Sequence, residues 1–390
     1  MNLKEIKDLN SEYLFQNYGR MDIAFTHGKG AYLYDTEGKE YLDLVAGIAV
    51  NSIGHAHPEW VKAMNDQMSK FIHVSNLYYT AEQAELGEKL ASIMPGDLQR
   101  SLFVNSGAEA NEGAMKLAVR YTKRSKILSA LNGFHGRTSA SLGATGQTKY
   151  QDSFEPLISN AFHYFEYGSL ESIKSMIDKD TAALLVEPIQ GEGGVVGAKK
   201  EFFKGVRDLC TDYGVLMVVD EVQTGIGRTG KWFGIEKHNV VPDIITMAKG
   251  LGGGVPIGAV TTTPEISKVM TPGTHGTTFG GNPLVSRSAC TVIDIIKKEK
   301  LVENADNVGK AWMKELKAVG SPKIKDVRGS GFMIGVELNS NETASLIQKT
   351  MLKKGFILNI CHGNVLRLIP PLILTSEQKD IFMSAFNEII

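Results

Sequence analysis

Short apolar segments recur along the first 250 residues of the chain, and most end in a polar or glycine-rich loop before a helical pattern. Segments 101–104, 126–130, 182–186 and 215–219 are the clearest, and another leads up to Lys249. Apolar runs of this length, rich in β-branched residues, predict buried strands. Strands that alternate with helices predict an α/β fold with a mainly parallel sheet, whose ligand site lies at the carboxyl ends of the strands.

Four polar side chains follow these strands: Ser106, Glu187, Asp220 and Lys249. Because the carboxyl ends of parallel strands meet at one edge of a sheet, we expect the four to lie close together. Lys249 emerges from an apolar strand into a glycine-rich turn, where poor hydration lowers the pKa of a lysine toward the range in which its free amine attacks a carbonyl. The stretch predicts a Schiff-base lysine, although by itself it also fits a solvated lysine between turn glycines.

Two further loops carry candidate ligand contacts. The strand–turn–helix sequence around Ser106 and Gly107 directs backbone N–H groups and a helix dipole at one point, which suits a phosphate; a plain helix N-cap is the alternative. Phe134 lies between two glycines after a strand, and Arg137 follows the second glycine; the two could provide a stacking ring and a bidentate carboxylate clamp. The same pattern also occurs in ordinary surface loops.

Charge and cysteine content argue against other classes of function. The 42 basic and 43 acidic residues give a net charge of -1, which leaves no basic excess for a nucleic acid. No apolar run reaches the length of a membrane span, and the polar N-terminal segment lacks a signal-peptide core, so we expect a cytoplasmic protein without a membrane partner. Cys210, Cys290 and Cys361 lack zinc-motif spacing, and His55 and His57 have no recognisable third ligand nearby, so no metal site is predicted.

The pattern changes along the chain in a way that predicts two domains. Residues 1–58, which include a β-hairpin around 36–38, are expected to contribute to a small domain. Residues 59–284 are expected to form the large domain, and residues 285–390 most of the small α+β domain. The helix and strand patterns of this last part are at 299–318, 325–328, 331–337, 341–354 and 376–389.

Seven motifs, in one order over nearly the full length, resemble those of the class III (subgroup II, ornithine-type) aminotransferases that depend on pyridoxal phosphate. The motifs are SGAEANE (106–112), FHGRT (134–138), EPIQGE (187–192), DEVQ (220–223), AKG (248–250), TFGGNP (278–283) and RLIPP (367–371). The resemblance implies a fold-type I transferase, with a mainly parallel central sheet in the large domain and a smaller α+β domain. It also implies a homodimer whose subunits share their active sites.

The resemblance assigns roles around the cofactor, pyridoxal 5′-phosphate. Lys249 would hold it as an internal aldimine and later carry the proton, and Asp220 would pair with the ring nitrogen. Phe134 and Val222 would pack on the two faces of the ring, and Gln223 would bind its hydroxyl. The residues implied for the phosphate are Ser106, Gly107, Ala108 and, from the partner subunit, Thr278.

The resemblance also implies two substrates, N-acetylornithine and 2-oxoglutarate, and a ping-pong reaction in arginine biosynthesis. Arg137 would bind the carboxylate of N-acetylornithine, Arg367 that of glutamate or 2-oxoglutarate, and Glu192 would mask Arg367 while the donor is a terminal amine. Thr277 is a further expected substrate contact. Succinylornithine, ornithine, 4-aminobutyrate and a carrier-bound lysine remain alternative donors.

The chain departs from the family pattern at two places. Ala108 stands where many members have threonine, which removes one hydroxyl from the expected phosphate site. Segment 18–22 (YGRMD) lacks a proline that often follows its arginine, which puts contacts at the far end of the substrate in doubt. Of other classes, a nucleotide-binding oxidoreductase would need a glycine at Val255, and a non-catalytic binding protein would not need this set of site residues.

Overall fold

A seven-stranded sheet forms the centre of the protein, for which a computed structural model describes all residues from Met1 to Ile390. The strands, in chain order, are β1 (Phe25–Lys29), β2 (Tyr32–Asp35), β3 (Glu40–Asp43), β4 (Arg100–Val104), β5 (Lys126–Ala130), β6 (Phe162–Phe165), β7 (Thr181–Val186), β8 (Ile189–Gln190), β9 (Val196–Gly197), β10 (Leu216–Asp220), β11 (Ile244–Met247), β12 (Gly258–Thr262), β13 (Ile324–Ser330), β14 (Met333–Leu338), β15 (Phe356–Ile357), β16 (Asn359–Cys361) and β17 (Val365–Leu368).

Helices flank this sheet and the smaller sheets of the structure. In chain order they are α1 (Leu3–Tyr13), α2 (Ala46–Ala49), α3 (Pro58–Met68), α4 (Ala81–Ala91), α5 (Gly107–Thr122), α6 (Ser139–Ala144), α7 (Thr148–Gln151), α8 (Leu170–Lys174), α9 (Lys200–Tyr213), α10 (Pro264–Ser267), α11 (Pro283–Lys298), α12 (Leu301–Ala318), α13 (Asn341–Lys353) and α14 (Ser376–Asn387). No helix combines the length and the apolar character needed to cross a membrane.

The central sheet has the strand order β4-β12-β11-β10-β7-β5-β6. Strand β12 is antiparallel to both of its neighbours, and all other pairs are parallel, which confirms the predicted, mainly parallel sheet. Strands β7, β10 and β11 are buried along their whole length, because helices cover both faces of a parallel sheet. Their continuous apolar runs are the reason that the sequence revealed them so clearly.

The register of the strands brings their carboxyl ends together. In the parallel pairs, Val219 lies opposite Val186, and Asp220 lies opposite Thr246. Glu187 and Lys249 therefore follow neighbouring strands at the same edge of the sheet as Asp220. This edge is the floor of the site described below.

The C-terminal part forms a second, antiparallel sheet with the order β13-β14-β17-β16. The N-terminal hairpin of β2 and β3 belongs to a third sheet, in which β3 pairs in parallel with β15 from the C-terminal part. The two ends of the chain are thus joined by hydrogen bonds between strands. The domain limits 1–58, 59–284 and 285–390 remain a prediction.

Candidate active site

A cavity of about 410 Å³ lies at the carboxyl edge of the central sheet. Its wall is formed by the N-terminus of α5, the loops that follow β5, β7, β10 and β11, and Val50 from the N-terminal part. Ten residues predicted for the site lie in this wall: Ser106, Gly107, Ala108, Phe134, Arg137, Glu192, Asp220, Val222, Gln223 and Lys249. The first and the last of these ten residues in the sequence, Ser106 and Lys249, are 143 positions apart, and the fold brings them to one cavity.

Lys249 lies two residues after the end of β11 and is held in the cavity wall by a tight turn. Its backbone has a φ of +41°, and the next residue, Gly250, could not carry a Cβ atom, which would lie 2.5 Å from the Ser52 hydroxyl oxygen. Burial, and to a smaller extent the positive charge of Arg367, together lower the pKa of the Lys249 amine to about 8. A large fraction of the amine is therefore neutral near pH 8, as a lysine that attacks a carbonyl requires.

Asp220 is fixed by three hydrogen bonds at the end of β10. Its Oδ2 atom accepts from Nδ2 of Asn111 at 2.7 Å and contacts Nδ1 of His135 at 2.8 Å, and its Oδ1 atom accepts from the backbone N–H of Val222 at 2.9 Å. Asn111 is oriented in turn by the Thr246 hydroxyl, which donates to its Oδ1 atom at 2.7 Å. The carboxylate at the floor of the cavity thus has one well-defined position.

His135 and Glu187 lie behind this carboxylate as buried titratable groups. Burial alone would lower the pKa of His135, but the hydrogen bond to Asp220 and its charge outweigh it and raise the pKa. Burial raises the pKa of Glu187 to about 7, although its two oxygens accept hydrogen bonds from the N–H groups of Phe134 and Gly191. The Nε2 atom of His135 is buried without a hydrogen-bond partner in the protein.

The N-terminus of α5 reaches the cavity through Ser106, Gly107 and Ala108. The Ser106 hydroxyl oxygen accepts from the N–H of Glu109 at 3.2 Å, so this residue is the helix N-cap that the sequence offered as the alternative. The N–H groups of the first turn have no partner within a helix, and the 16-residue helix adds its dipole at this end. The cap and a site for a phosphate are therefore compatible.

Phe134 and Arg137 lie on the same side of the cavity. The guanidinium carbon of Arg137 lies 4.3 Å from the ring centroid of Tyr150 and 5.6 Å from that of Phe134. Arg137 is exposed and has no carboxylate partner in this chain, so its fork of N–H donors is free for an anion. Tyr150, which orients it, was not among the predicted residues because its helix, α7, is a single turn.

Arg367 is fully buried next to the cavity and contacts Glu192, which lies in the cavity wall. Its Nη1 atom donates to Oε1 of Glu192 at 2.6 Å and to Oε1 of Gln223 at 3.1 Å, and its Nε atom donates to Oδ1 of Asn359 at 2.8 Å. Burial would raise the pKa of Glu192, but the charge of Arg367 outweighs it and lowers the pKa. The structure thus brings together the arginine and the glutamate that the sequence paired.

Thr277 and Thr278 lie outside this cavity. The hydroxyl of Thr277 accepts from Nδ2 of Asn105 at 2.8 Å and faces a second cavity, and Thr278 lines a third, smaller one. Within one chain, Thr277 meets the α5 N-terminus only through Asn105, the residue before the Ser106 N-cap, and neither threonine lines the first cavity. The assignment of Thr278 to the phosphate of a partner subunit stays a prediction, as do the roles of the other site residues.

Asn111, His135 and Asn359 support the site and were not given roles from the sequence. Asn111 and His135 belong to two of the seven motifs, so their place in the chain was visible, but their contacts depend on strands far apart in sequence. Asn359 lies in β16, and its contact with Arg367 follows from the pairing of β16 with β17. The register of β16 against β17, which places Asn359 opposite Arg367, is the signal that could have revealed this contact.

Comparisons with known proteins agree with the geometry. The family described as aminotransferase class-III matches residues 13–390. Acetylornithine aminotransferase of Methanocaldococcus jannaschii is 45% identical, over 98% of this chain and 97% of its own length. The protein of the same name from Aquifex aeolicus is also 45% identical, over 97% of this chain and its full length.

Solved structures give the same result. The crystal structure of ornithine aminotransferase from Toxoplasma gondii ME49 has a TM-score of 0.95 and 31% identity, over 100% of this chain and 94% of that one. Acetylornithine aminotransferase from Elizabethkingia anophelis has a TM-score of 0.89 and 31% identity, over 100% of this chain and 99% of that one. With a family match over nearly the whole length, the chain belongs to the class-III aminotransferases.

Proposed function

We propose that the protein is an acetylornithine transaminase (EC 2.6.1.11) of arginine biosynthesis. It transfers the terminal amine of N2-acetyl-L-ornithine to 2-oxoglutarate, giving N-acetyl-L-glutamate 5-semialdehyde and L-glutamate. The observation that carries the proposal is the pair of arginines at one cavity: Arg137 is free, whereas Arg367 is held by Glu192. An enzyme that binds two different acids in turn needs one clamp that is always available and one that can be masked.

The cavity fits pyridoxal phosphate, the cofactor of this family. Lys249 supplies a buried amine, the N-terminus of α5 supplies N–H donors for a phosphate, and Asp220 supplies a fixed carboxylate for the ring nitrogen. Phe134 and Val222 lie in the wall on which a flat ring would pack. When bound, the cofactor supplies a conjugated ring that accepts electrons from the reacting carbon.

Lys249 has two tasks in this proposal. Its neutral Nζ atom would hold the cofactor between turnovers and would be freed when the donor substrate binds. The freed Nζ atom would then be the base in the cavity: it would take the proton from the substrate carbon that carries the amine and deliver it to the cofactor. The lowered pKa suits both tasks, because a base works best when its pKa is near the pH at which the enzyme operates.

The two arginines separate the two half-reactions. N-acetylornithine has no carboxylate beside its reacting carbon, so Arg367 stays paired with Glu192 while Arg137 binds the distant α-carboxylate. 2-Oxoglutarate has a carboxylate beside its reacting carbon, so Glu192 must leave Arg367 for that acid to bind. We call the pair of Glu192 and Arg367 the gate.

We further propose a cytoplasmic homodimer, in which Thr278 reaches the phosphate of the partner subunit and Thr277 faces its substrate. The support is a group of large apolar side chains left exposed in the single chain near these threonines. Leu77, Tyr79 and Phe279 are 83%, 104% and 60% exposed. Such a group on one surface is typical of a protein interface. Light scattering during gel filtration would find twice the mass of one chain, and a monomer at micromolar concentration would contradict this part.

The test of the function is the absorbance of the cofactor bound to Lys249 while candidate donors are added without a keto acid. N-acetylornithine, ornithine, succinylornithine and 4-aminobutyrate are compared, and the band should disappear at the lowest concentration with N-acetylornithine. A lower concentration for another donor would assign the enzyme to a different ω-amine. No band after pyridoxal phosphate is supplied would rule out a transaminase.

A further inference from the structure

Glu192 of the gate lies at the tip of a small hairpin formed by β8 and β9. Ile189 pairs with Gly197, and Gln190 pairs with Val196, so residues 191–195 form the connecting loop. Within the loop, the N–H groups of Gly194 and Val195 both donate to the carbonyl of Gly191, at 3.3 and 3.4 Å. The tip is therefore a closed turn, and its position depends on what holds it from outside.

Arg328, on β13 of the C-terminal sheet, holds this tip. Its Nε and Nη2 atoms both donate to the carbonyl oxygen of Gly194, at 3.0 and 2.7 Å. Its Nη1 atom donates to Glu337 at 2.6 Å and to Asp326 at 3.0 Å. The two carboxylates thus orient the guanidinium so that its remaining donors meet one carbonyl, two residues after Glu192.

Val195 attaches the same tip to the C-terminal sheet by packing. It is fully buried and has a φ of +55°, a conformation that a β-branched residue adopts only when its surroundings impose it. It packs against Gly335 of β14, where an added Cβ atom would lie 2.8 Å from the Cβ atom of Val195. Gly194 and Val195, which follow Glu192 closely in the chain, are therefore fixed to the C-terminal sheet, whereas Lys249 follows a strand of the central sheet.

We propose that Arg328 is a positioning residue for the gate, an inference that rests on the function proposed above. By fixing the Gly194 carbonyl, Arg328 keeps the backbone at Glu192 still, so that the gate opens by rotation of one side chain and closes again onto Arg367. A loose tip would have many conformations in which Glu192 is away from Arg367, and the entropy of these conformations would favour the open gate. Arg328 thereby sets the preference of the enzyme for a terminal amine over glutamate as donor.

The test compares Arg328→Ala and Arg328→Gln with the wild-type holoenzyme. KM and kcat are measured separately for the half-reactions with N-acetylornithine and with glutamate, and the affinity for glutarate, a dicarboxylate that cannot react, is measured by calorimetry. In both variants, the ratio of kcat/KM for N-acetylornithine to that for glutamate should fall about tenfold, the loss expected from two hydrogen bonds with a charged donor. Glutarate should bind more tightly, because Arg367 is free for a larger fraction of the time.

Three controls separate positioning from general stability. Arg328→Lys keeps a charged donor and should retain most of the wild-type ratio. Arg124→Ala removes another half-buried arginine that donates to backbone carbonyls, those of Thr181, Tyr213 and Gly214, and should leave the ratio unchanged. In a Glu192→Ala background, the Arg328→Ala change should have no further effect on the ratio, because there is no gate carboxylate left to position.

The outcomes decide between the alternatives. An equal fall of both half-reactions in Arg328→Ala, with unchanged glutarate affinity, would overturn the proposal and leave Arg328 a structural role only. A further change of the ratio in the Glu192→Ala background would overturn it as well. Failure of the proposed function would instead appear in the wild-type enzyme, as no change of the cofactor band with N-acetylornithine, and the glutarate measurement would still test Arg328.

Discussion

The cavity has two sides that are built in different ways. The cofactor side consists of Asp220, His135 and Asn111, which are buried, and of Lys249, whose amine is desolvated at the end of β11. The substrate side consists of Arg137, Glu192 and Arg367, of which the first is exposed and the other two satisfy each other. In this molecule the sheet and its buried hydrogen bonds hold the residues that must stay in place, whereas the residues that must exchange ligands are held by contacts that a ligand can replace.

The largest effect should come from the cofactor side, at Lys249. Lys249→Ala removes both the covalent attachment and the base, so both half-reactions should fall by at least about 10⁴-fold. The purified variant should also lack the absorbance band of lysine-bound cofactor. The measurement is single-turnover absorbance with each substrate, and near-wild-type turnover in either half-reaction would refute the assignment.

Asp220→Asn should affect both half-reactions alike, by roughly 10²- to 10³-fold, because it removes a charge that acts on the cofactor whichever acid is bound. It also leaves His135, now without its carboxylate partner, buried at the floor of the cavity. Single-turnover rates with N-acetylornithine and with glutamate test this. A loss confined to one half-reaction would contradict the division of the cavity into two sides.

The protonation of Lys249 should limit the rate at which the apoenzyme takes up pyridoxal phosphate. Burial lowers the pKa of this amine from its ordinary value of 10.5 to about 8, so the amine is protonated below that pH and neutral above it. The uptake rate should fall about tenfold per pH unit below 8 and level off above it. Stopped-flow absorbance between pH 6 and 10 measures the profile. A rate that keeps rising to pH 10 would show a solvated lysine instead.

On the substrate side, Glu192→Ala should change selectivity more than turnover. With Arg367 unmasked, the kcat/KM for glutamate should rise, while that for N-acetylornithine should fall about tenfold, since a buried guanidinium loses its partner whenever the terminal amine is bound. Glu192→Gln is the matched variant, because it keeps a hydrogen-bond acceptor without the charge. Equal changes in both half-reactions would place Glu192 outside the gate.

The same division explains how much could be predicted from the sequence. The cofactor side follows strands β7, β10 and β11, whose uninterrupted apolar runs reveal both the strands and the polar residues at their ends. The predicted segment 126–130 matches β5 residue for residue, and segments 101–104, 182–186 and 215–219 match β4, β7 and β10 to within one residue at each end. Local pattern was sufficient there because burial on both faces leaves little choice of residue.

Other elements depend on contacts that a local pattern does not contain. Strands β6 and β12 were not predicted, because β6 is a partly buried edge strand and β12 is a run of small residues after a proline. The partners of Asp220 come from α5 and from the loop after β5, more than 80 positions away. Arg328 was not predicted at all, since only the packing of the C-terminal sheet on the β8–β9 hairpin places it beside Gly194.

The smallest effect concerns Ala108, where the family resemblance points to a missing hydroxyl. Ala108→Thr adds one donor near the α5 N-terminus, at a position that lines the cavity. The dissociation constant of pyridoxal phosphate should fall about threefold to tenfold, as expected for one hydrogen bond. Ala108→Val, of the same shape without the hydroxyl, is the control in a fluorescence titration of the apoenzyme. If valine and threonine have the same effect, the hydroxyl adds nothing, and the N–H groups of the first helical turn are sufficient to hold the phosphate.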